Sequence, residues 1–300
     1  LSRIAYSTVY NHPLPAGHRF PMLKYDLIYG QLIYEGTFKE SDFFTPSEAS
    51  QPDLLLTHTS EYISKLNGGR LSRHEERATG FPYSDALIHR EKVIMQGTID
   101  AAFFALKNGY GANIAGGTHH AYANSGEGFC LLNDMSVAAN VLLNENKSKQ
   151  ILIVDLDVHQ GNGTAKIFEN EPRVFTMSMH GKNNFPLHKE KSDLDIELLD
   201  GTDDKTYLNL LDQYLKFTLD KVQPDFVFYL CGVDVLETDK LGRLGMTIQG
   251  CKERDKMVLT ECKRAGVPVS IALGGGYSEN IRHIVDAHAN TFRLMADILG

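Results

Sequence analysis

Asp157 and His159 stand two residues apart in ILIVDLDVHQGNG, residues 151 to 163, and Asp155 stands two residues before them. Carboxylate oxygens and imidazole nitrogens bind divalent cations, and an aspartate inside an apolar run must find a partner. Aliphatic residues open the stretch and Gly and Asn close it, which predicts a buried strand running into a turn. Alternation along a strand puts Asp155, Asp157 and His159 on one face, successive Cα atoms about 6.6 Å apart at roughly 3.3 Å of rise per residue. Asp157 and His159 then grip one ion, and Asp155 supports them from behind. The competing reading is a strand whose exposed end carries polar residues for solubility.

Four other apolar runs end in polar punctuation: GGTHHAY from 116, SMHGKNNFP from 178, CGVDVLETD from 231 and LGGGYSEN from 273. In an open parallel sheet ligands bind beyond the carboxyl ends of the strands, so these segments are expected to converge. Asp234 adds a carboxylate, although taken alone it reads equally as a helix cap or turn residue. With Asp157 and His159 it makes three ligands and leaves one position open for water and substrate, as catalytic zinc sites do. His119 and His120 suit proton transfer to and from a metal-bound water, given an acceptor on the other ring nitrogen of each; Asp155 and Asn162 are the candidates. Tyr277 follows Gly274, Gly275 and Gly276, which let the backbone bend close to a bound group. Its hydroxyl can donate to a developing oxyanion, but a tyrosine packed on the sheet fits the same segment. That segment lacks GxGxxG spacing and is no dinucleotide fingerprint.

The elements that must position these residues alternate between short apolar runs and amphipathic stretches, the pattern of a mainly parallel sheet with helices on both faces. Strands are expected at RIAYS near 3, GANIAG near 111, ILIVDLDV at 151, VFTMSM at 174, DFVFYLCG at 225 and VPVSIALGG at 267. Helices are expected at 85–107, 133–145, 164–169, 204–221, 249–265 and 278–297, and long loops at 66–84 and 181–203. With 42% hydrophobic residues in 300, the chain can bury a large core, and the continuous βα alternation favours a single α/β domain over 1–300. A net charge of −8 argues against a dedicated nucleic-acid surface. The four cysteines form no CxxC pair and read as reduced thiols; no membrane span or signal peptide is evident, so a cytoplasmic protein is expected, or a nuclear one in a eukaryote. Oligomeric state is open.

Taken in order, GGTHHA, GEGFCLLND, DLDVHQGNG, the Asp234 segment and LGGGY resemble the zinc-dependent histone deacetylase family of the arginase/deacetylase fold. HQGNG and CGVDVLETDKLGRLGMT are most similar to its class IV branch and bacterial relatives. The resemblance implies zinc on Asp157, His159 and Asp234, proton handling by His119 and His120, and polarisation of the substrate carbonyl by Tyr277. It implies a substrate tunnel at Gly128, Phe129 and Phe185, with Gly275 near the bound group and Leu241 at the rim. It also implies a potassium ion near Asp155, Asp157, His159, Ser178 and Met179. Zinc and ferrous iron both suit the divalent site. Arg19, in HRFPM, matches an arginine lining an internal acetate-release channel; a surface salt-bridging arginine is the alternative. Asn162 stands where many members carry aspartate, so His120 is expected to be less basic here.

The combined reading is a metal-dependent amide hydrolase that removes acetyl or longer acyl groups from lysine side chains, with the metal activating water and His120 as principal acid/base. An arginase-like ureohydrolase needs a further carboxylate where Gly161 stands. An acetylpolyamine or other small-amine hydrolase of the same family is the alternative; Leu241 occupies the position of the acidic gatekeeper by which the eukaryotic form recognises a second amine. A non-enzymatic acyl-ligand or partner-binding protein would have lost a ligand, a histidine or the tyrosine, and none is lost.

Overall fold

β4 (Ile151–Asp155) is buried at every residue, which requires a paired strand on each edge and cover on both faces. The computed structural model describes residues 3–300, so residues 1 and 2 of the expected 1–300 domain lie outside the described residues. β4 pairs in parallel with β5 (Val174–Gly181) on one edge and β7 (Phe226–Leu230) on the other. The remaining strands are β1 (Ile4–Ala5), β2 (Phe43–Phe44), β3 (Tyr110–Asn113), β6 (Leu194–Leu198) and β8 (Val269–Ala272). Together they form one eight-stranded sheet of order β2-β1-β3-β8-β7-β4-β5-β6, with every pairing parallel. The carboxyl ends of all strands therefore share one edge. There lie the loops after β3, β4, β5, β7 and β8 that carry the polar segments.

The helices are α1 (Lys24–Tyr34), α2 (Gln51–Leu55), α3 (Ser60–Asn67), α4 (Arg73–Thr79), α5 (Asp85–Asn108), α6 (Asp134–Asn144), α7 (Asn162–Phe168), α8 (Asp204–Val222), α9 (Ile248–Ala265) and α10 (Ile281–Leu299). Side-chain oxygens of Ser84, Asn133 and Thr247 cap α5, α6 and α9, each contributing on the order of 1 kcal/mol. All four cysteines are free and buried, and no described helix is long and apolar enough to cross a membrane.

Three local expectations are corrected. The stretch 66–84 is not one loop: it contains α4, whose Ser72 and Glu75 form the reciprocal capping box that SRHE spells. Nor is 181–203 one loop. Its charged residues hide β6, an edge strand that keeps Glu197 exposed while burying Ile196 and Leu198. Finally, the strand row of Asp155, Asp157 and His159 does not exist, because β4 stops at Asp155. α1, α2, α3 and β2 were not anticipated. In α1 the inward residues include Lys24 and the sequence includes Gly30, both of which blur its apolar stripe.

Candidate active site

The turn after β4, rather than the strand, brings the acidic residues together. Asp155 Oδ1 accepts the N–H of Asp157 at 3.1 Å, and Asp157 Oδ1 accepts the N–H of His159 at 2.9 Å. Each aspartate thus folds the two residues after it. Beyond β7, Asp234 Oδ1 accepts the N–H of Val158 at 2.9 Å, and beyond β8 the Gly275 N–H donates to Asp157 Oδ2 at 2.7 Å. Position 275 requires glycine, since a Cβ there would lie 1.8 Å from Asp234 Oδ2. From behind, the fully buried Arg254 donates from Nη1 to the carbonyls of Leu156 (3.2 Å) and Gly232 (2.6 Å), holding the β4 and β7 turns in one arrangement.

His159 Nδ1 lies 2.9 Å from Asp157 Oδ1 and 3.1 Å from Asp234 Oδ2, and one ligand atom from each residue lies within 4.8 Å of the others. Asp234 Oδ2 is buried and makes no well-formed hydrogen bond; its approach to His159 is an ion-pair contact only. A buried carboxylate oxygen without a donor, beside a second carboxylate and an imidazole nitrogen, fits the donor set of a divalent cation. The electrostatics agree. Burial pushes the Asp234 carboxyl up to about 7, and the neighbouring Asp157 adds to the rise. Burial also opposes charge on Asp157, but His119 and His159 outweigh it and hold that carboxyl well below the usual range. Burial disfavours a charged His159, yet Asp157 and Asp234 raise it to about 10. A proton on His159 thus sits where a cation would, between two carboxylates.

The loop after β3 presents the histidine pair, rings 4.1 Å apart, and is anchored by Asp134 Oδ1, which accepts from both Thr118 N and Thr118 Oγ1 at 2.9 Å. His119 Nδ1 lies 2.7 Å from Asp155 Oδ2, and His120 Nδ1 lies 2.6 Å from Asn162 Oδ1. Both rings are buried, so one is the control for the other. Burial works against the imidazolium of His119, but the Asp155 carboxylate overcomes it and raises the group to about 9. For His120, burial and then the charges of His119 and His159 push it well below its ordinary value, and the Asn162 amide only partly opposes them. Asn162 Nδ2 donates to Tyr122 Oη at 2.9 Å and Glu127 Oε1 at 3.2 Å, which turns its carbonyl oxygen toward His120. Nδ1–H of His120 therefore donates to that oxygen, and Nε2 keeps its lone pair.

A pocket of about 550 Å³ opens from this cluster; Gly128, Phe129, Phe185, Leu241, Tyr277, His120 and His159 are among its lining residues. The Phe129 ring lies 5.8 Å from the Tyr277 ring, and the Phe185 ring 5.0 Å from that of His120. Burial, then the charges of Asp234 and Asp157, push the Tyr277 hydroxyl well above its ordinary value, so it stays a donor. Leu241 lines the pocket, its carbonyl accepting from Asn184 Nδ2 at 2.8 Å. Of the five residues matched to a monovalent cation, Asp155 and Ser178 are register partners across β4 and β5, Met179 is next on β5, and Asp157 and His159 lie in the adjoining turn. Arg19 departs from both of its expected roles. It is exposed, lines the pocket mouth with its guanidinium 5.9 Å from the Phe129 ring centroid, and has no ion pair among the described residues.

Besides Arg254, two participants escaped the sequence reading. Asp239 accepts the Tyr277 N–H at 2.6 Å through Oδ2, and the N–H groups of Leu241 and Gly242 at 2.8 Å through Oδ1, so it couples Tyr277 and Leu241; ETDKLG offered only a turn-like aspartate as signal. Lys24 is wholly buried and donates to the Gly274 carbonyl at 2.8 Å. Burial lowers its ammonium to about 8 against the pull of Asp234, Asp157 and Asp239. No local pattern distinguishes it from a surface lysine.

A family profile described as the histone deacetylase domain matches residues 18–292. The chain is 42% identical over 295 residues to an uncharacterized protein of Picosynechococcus sp., with 98% of each chain covered. It is 29% identical to histone deacetylase 2 of Arabidopsis thaliana, over 92% of this chain and 74% of that one. With histone deacetylase RPD3 of Saccharomyces cerevisiae it shares 28% identity, over 92% and 68%. The crystal structure of the HDA15 HD domain superposes with a TM-score of 0.81, covering 98% of this chain and 90% of that one; at 22% identity this is a likeness of fold.

Proposed function

The chain belongs to the histone deacetylase family, and from that premise we propose that it hydrolyses the acyl amide of acyl-lysine side chains, using Asp157, His159 and Asp234 to hold a divalent cation. The observation that carries this reading is the buried Asp234 Oδ2, which has no well-formed hydrogen bond and is set in a three-ligand cluster whose His159 lines the same pocket as His120 and Tyr277. When bound, zinc or ferrous iron would polarise the acyl carbonyl and acidify the attacking water. A monovalent cation at Asp155 and Ser178, such as potassium, is part of the same proposal.

Each residue then has a defined task. His120 Nε2, unprotonated and held in register by Asn162, takes the proton of water as its oxygen bonds to the acyl carbon. The Tyr277 hydroxyl donates to the carbonyl oxygen as that oxygen becomes negative. His119, kept cationic by Asp155, stabilises the same negative charge without giving up its proton. When the C–N bond breaks, His120 returns the proton to the departing amine, and acid and amine leave. Phe129 and Phe185 supply apolar walls for a four-carbon stem.

Purified protein assayed on acetyl-lysine peptides, longer acyl-lysine peptides and acetylspermidine tests the reading. A higher kcat/KM for an acyl-lysine peptide is expected, and Leu241→Glu should shift preference toward the polyamine by giving its distal ammonium a partner. A tenfold preference of the unsubstituted protein for acetylspermidine, on the order of 1.4 kcal/mol, would replace lysine with polyamine as the substrate.

A further inference from the structure

Two arginines at the mouth of the pocket have no role in the reaction above. Arg19 and Arg77 both line it, both are exposed, and neither has an ion pair or side-chain hydrogen bond among the described residues. In a chain of net charge −8 this is a local reversal of sign. Their positions are tied to the aromatic wall. The carbonyls of Ala78 and Thr79, directly after Arg77, accept the N–H groups of Gly128 (2.9 Å) and Phe129 (2.8 Å). His18, directly before Arg19, places Nε2 2.8 Å from the Gly80 carbonyl. Both arginines thus spring from segments fastened to the corner that holds Phe129, and the Arg19 guanidinium lies 5.9 Å from the centroid of that ring.

The third charged residue lining the pocket, Glu127, is engaged by Asn162 on the inner side. Lys240 lies beyond the lining, 3.5 Å from Glu279. The Lys189 ammonium is occupied by carbonyls, including those of Asn184 and Pro186 at 2.6 Å. The mouth therefore offers two guanidinium groups without a partner among the described residues, that of Arg19 lying 5.9 Å from the Phe129 ring centroid and that of Arg77 lining the same pocket.

Building on the acyl-lysine reading, we propose that Arg19 and Arg77 select acyl-amines bearing a carboxylate where the stem leaves the slot. The α-carboxylate of a free or chain-terminal Nε-acyl-lysine meets that description, and so does an acidic residue beside an acyl-lysine in a peptide. Both present the same anion to a planar fork of donors. A polyamine presents an ammonium there and is repelled, so discrimination against it comes from the two arginines as well as from the missing anion at Leu241.

The test compares matched pairs: Nα-capped Nε-acetyl-lysine as α-carboxylate against its α-carboxamide, and an acetyl-lysine peptide with a glutamate neighbour against the glutamine version. In at least one pair the carboxylate form should have the higher kcat/KM, by about two- to fivefold for each arginine engaged, mostly through KM. The responding pair identifies the source of the anion. Arg19→Gln and Arg77→Gln should each lower the ratio, the double variant should bring it near one, and Arg→Lys, which keeps the charge without the fork, should restore part of it. Raising NaCl from roughly 0.05 to 0.5 M should compress the ratio in the unsubstituted protein. The same ratios read as Kd by calorimetry on Tyr277→Phe separate selection from turnover. Absence of hydrolysis on every substrate overturns the acyl-lysine reading alone. Ratios near one in both pairs, by kinetics and by binding, or ratios unchanged in the double variant, overturn the selection by arginine.

Discussion

Replacing Asn162 by aspartate converts the environment of His120 into that of His119. The two rings are equally buried and their Nδ1 atoms lie 2.6 and 2.7 Å from a side-chain oxygen, one on an amide and the other on a carboxylate. The outcome differs sharply: His119 is raised to about 9, whereas His120 is driven well below its ordinary value by burial and by the charges of His119 and His159. A unit charge placed about 4 Å from the imidazole centre, at an effective dielectric constant near 20, contributes roughly 4 kcal/mol, or about three pKa units. Part of this is lost because the second oxygen of the new carboxylate faces Glu127, the present acceptor of Asn162 Nδ2. The variant is therefore best made together with Glu127→Gln. If His120 must be neutral to take the proton from water, activity falls as pH drops through its pKa, and raising that pKa moves the fall to higher pH. The acid-side inflection of kcat/KM on an acetyl-lysine peptide should rise by about two units in Asn162→Asp. Full pH–rate profiles of both proteins, with melting temperatures as a control on folding, provide the measurement. An inflection that stays in place in a folded variant refutes His120 as the base.

Tyr277→Phe removes a donor that acts mainly as the carbonyl oxygen gains charge, so kcat should fall on the order of 100-fold with little change in substrate affinity, as read by steady-state kinetics and calorimetry. A chelator that strips divalent metal should abolish hydrolysis, and added zinc or ferrous iron should restore it; undiminished turnover in rigorously metal-free buffer would contradict the role assigned to Asp157, His159 and Asp234. Glu35 receives Arg293 through two hydrogen bonds, at 2.8 and 2.6 Å, which clamp α1 to α10 and lower its carboxyl to about 2. Because the folded pKa lies below the unfolded one, the contribution is complete above about 4.5 and disappears as pH falls toward 2. Glu35→Gln should accordingly cost about 1 kcal/mol in urea unfolding at pH 7, after solvent screening, and almost nothing near pH 2.

The polar endings of five strands were legible because each is a local event: an apolar run, then Gly, Asp, His or Asn at the point where the chain must turn. From these came the parallel sheet, the edge where the loops meet, and the grouping of Asp157, His159 and Asp234 with the two histidines. Hidden from the sequence were matters decided between segments far apart in the chain. The alternation of a strand cannot announce that β4 stops at Asp155, because the turn that follows is held by a distant residue, Asp234, whose Oδ1 accepts the N–H of Val158. Charged residues conceal β6, whose exposed row suits the edge of a sheet. Lys24 reads as solvated until α1 is packed beneath the Gly274 carbonyl, and Arg19 reads as a buried channel residue or a surface ion pair until the His18–Gly80 contact leaves it at the mouth. Hydrophobic period and turn chemistry act over a few residues and can be read from order alone. The environment of a charge is the sum of its neighbours in space, and only the folded chain determines which neighbours those are.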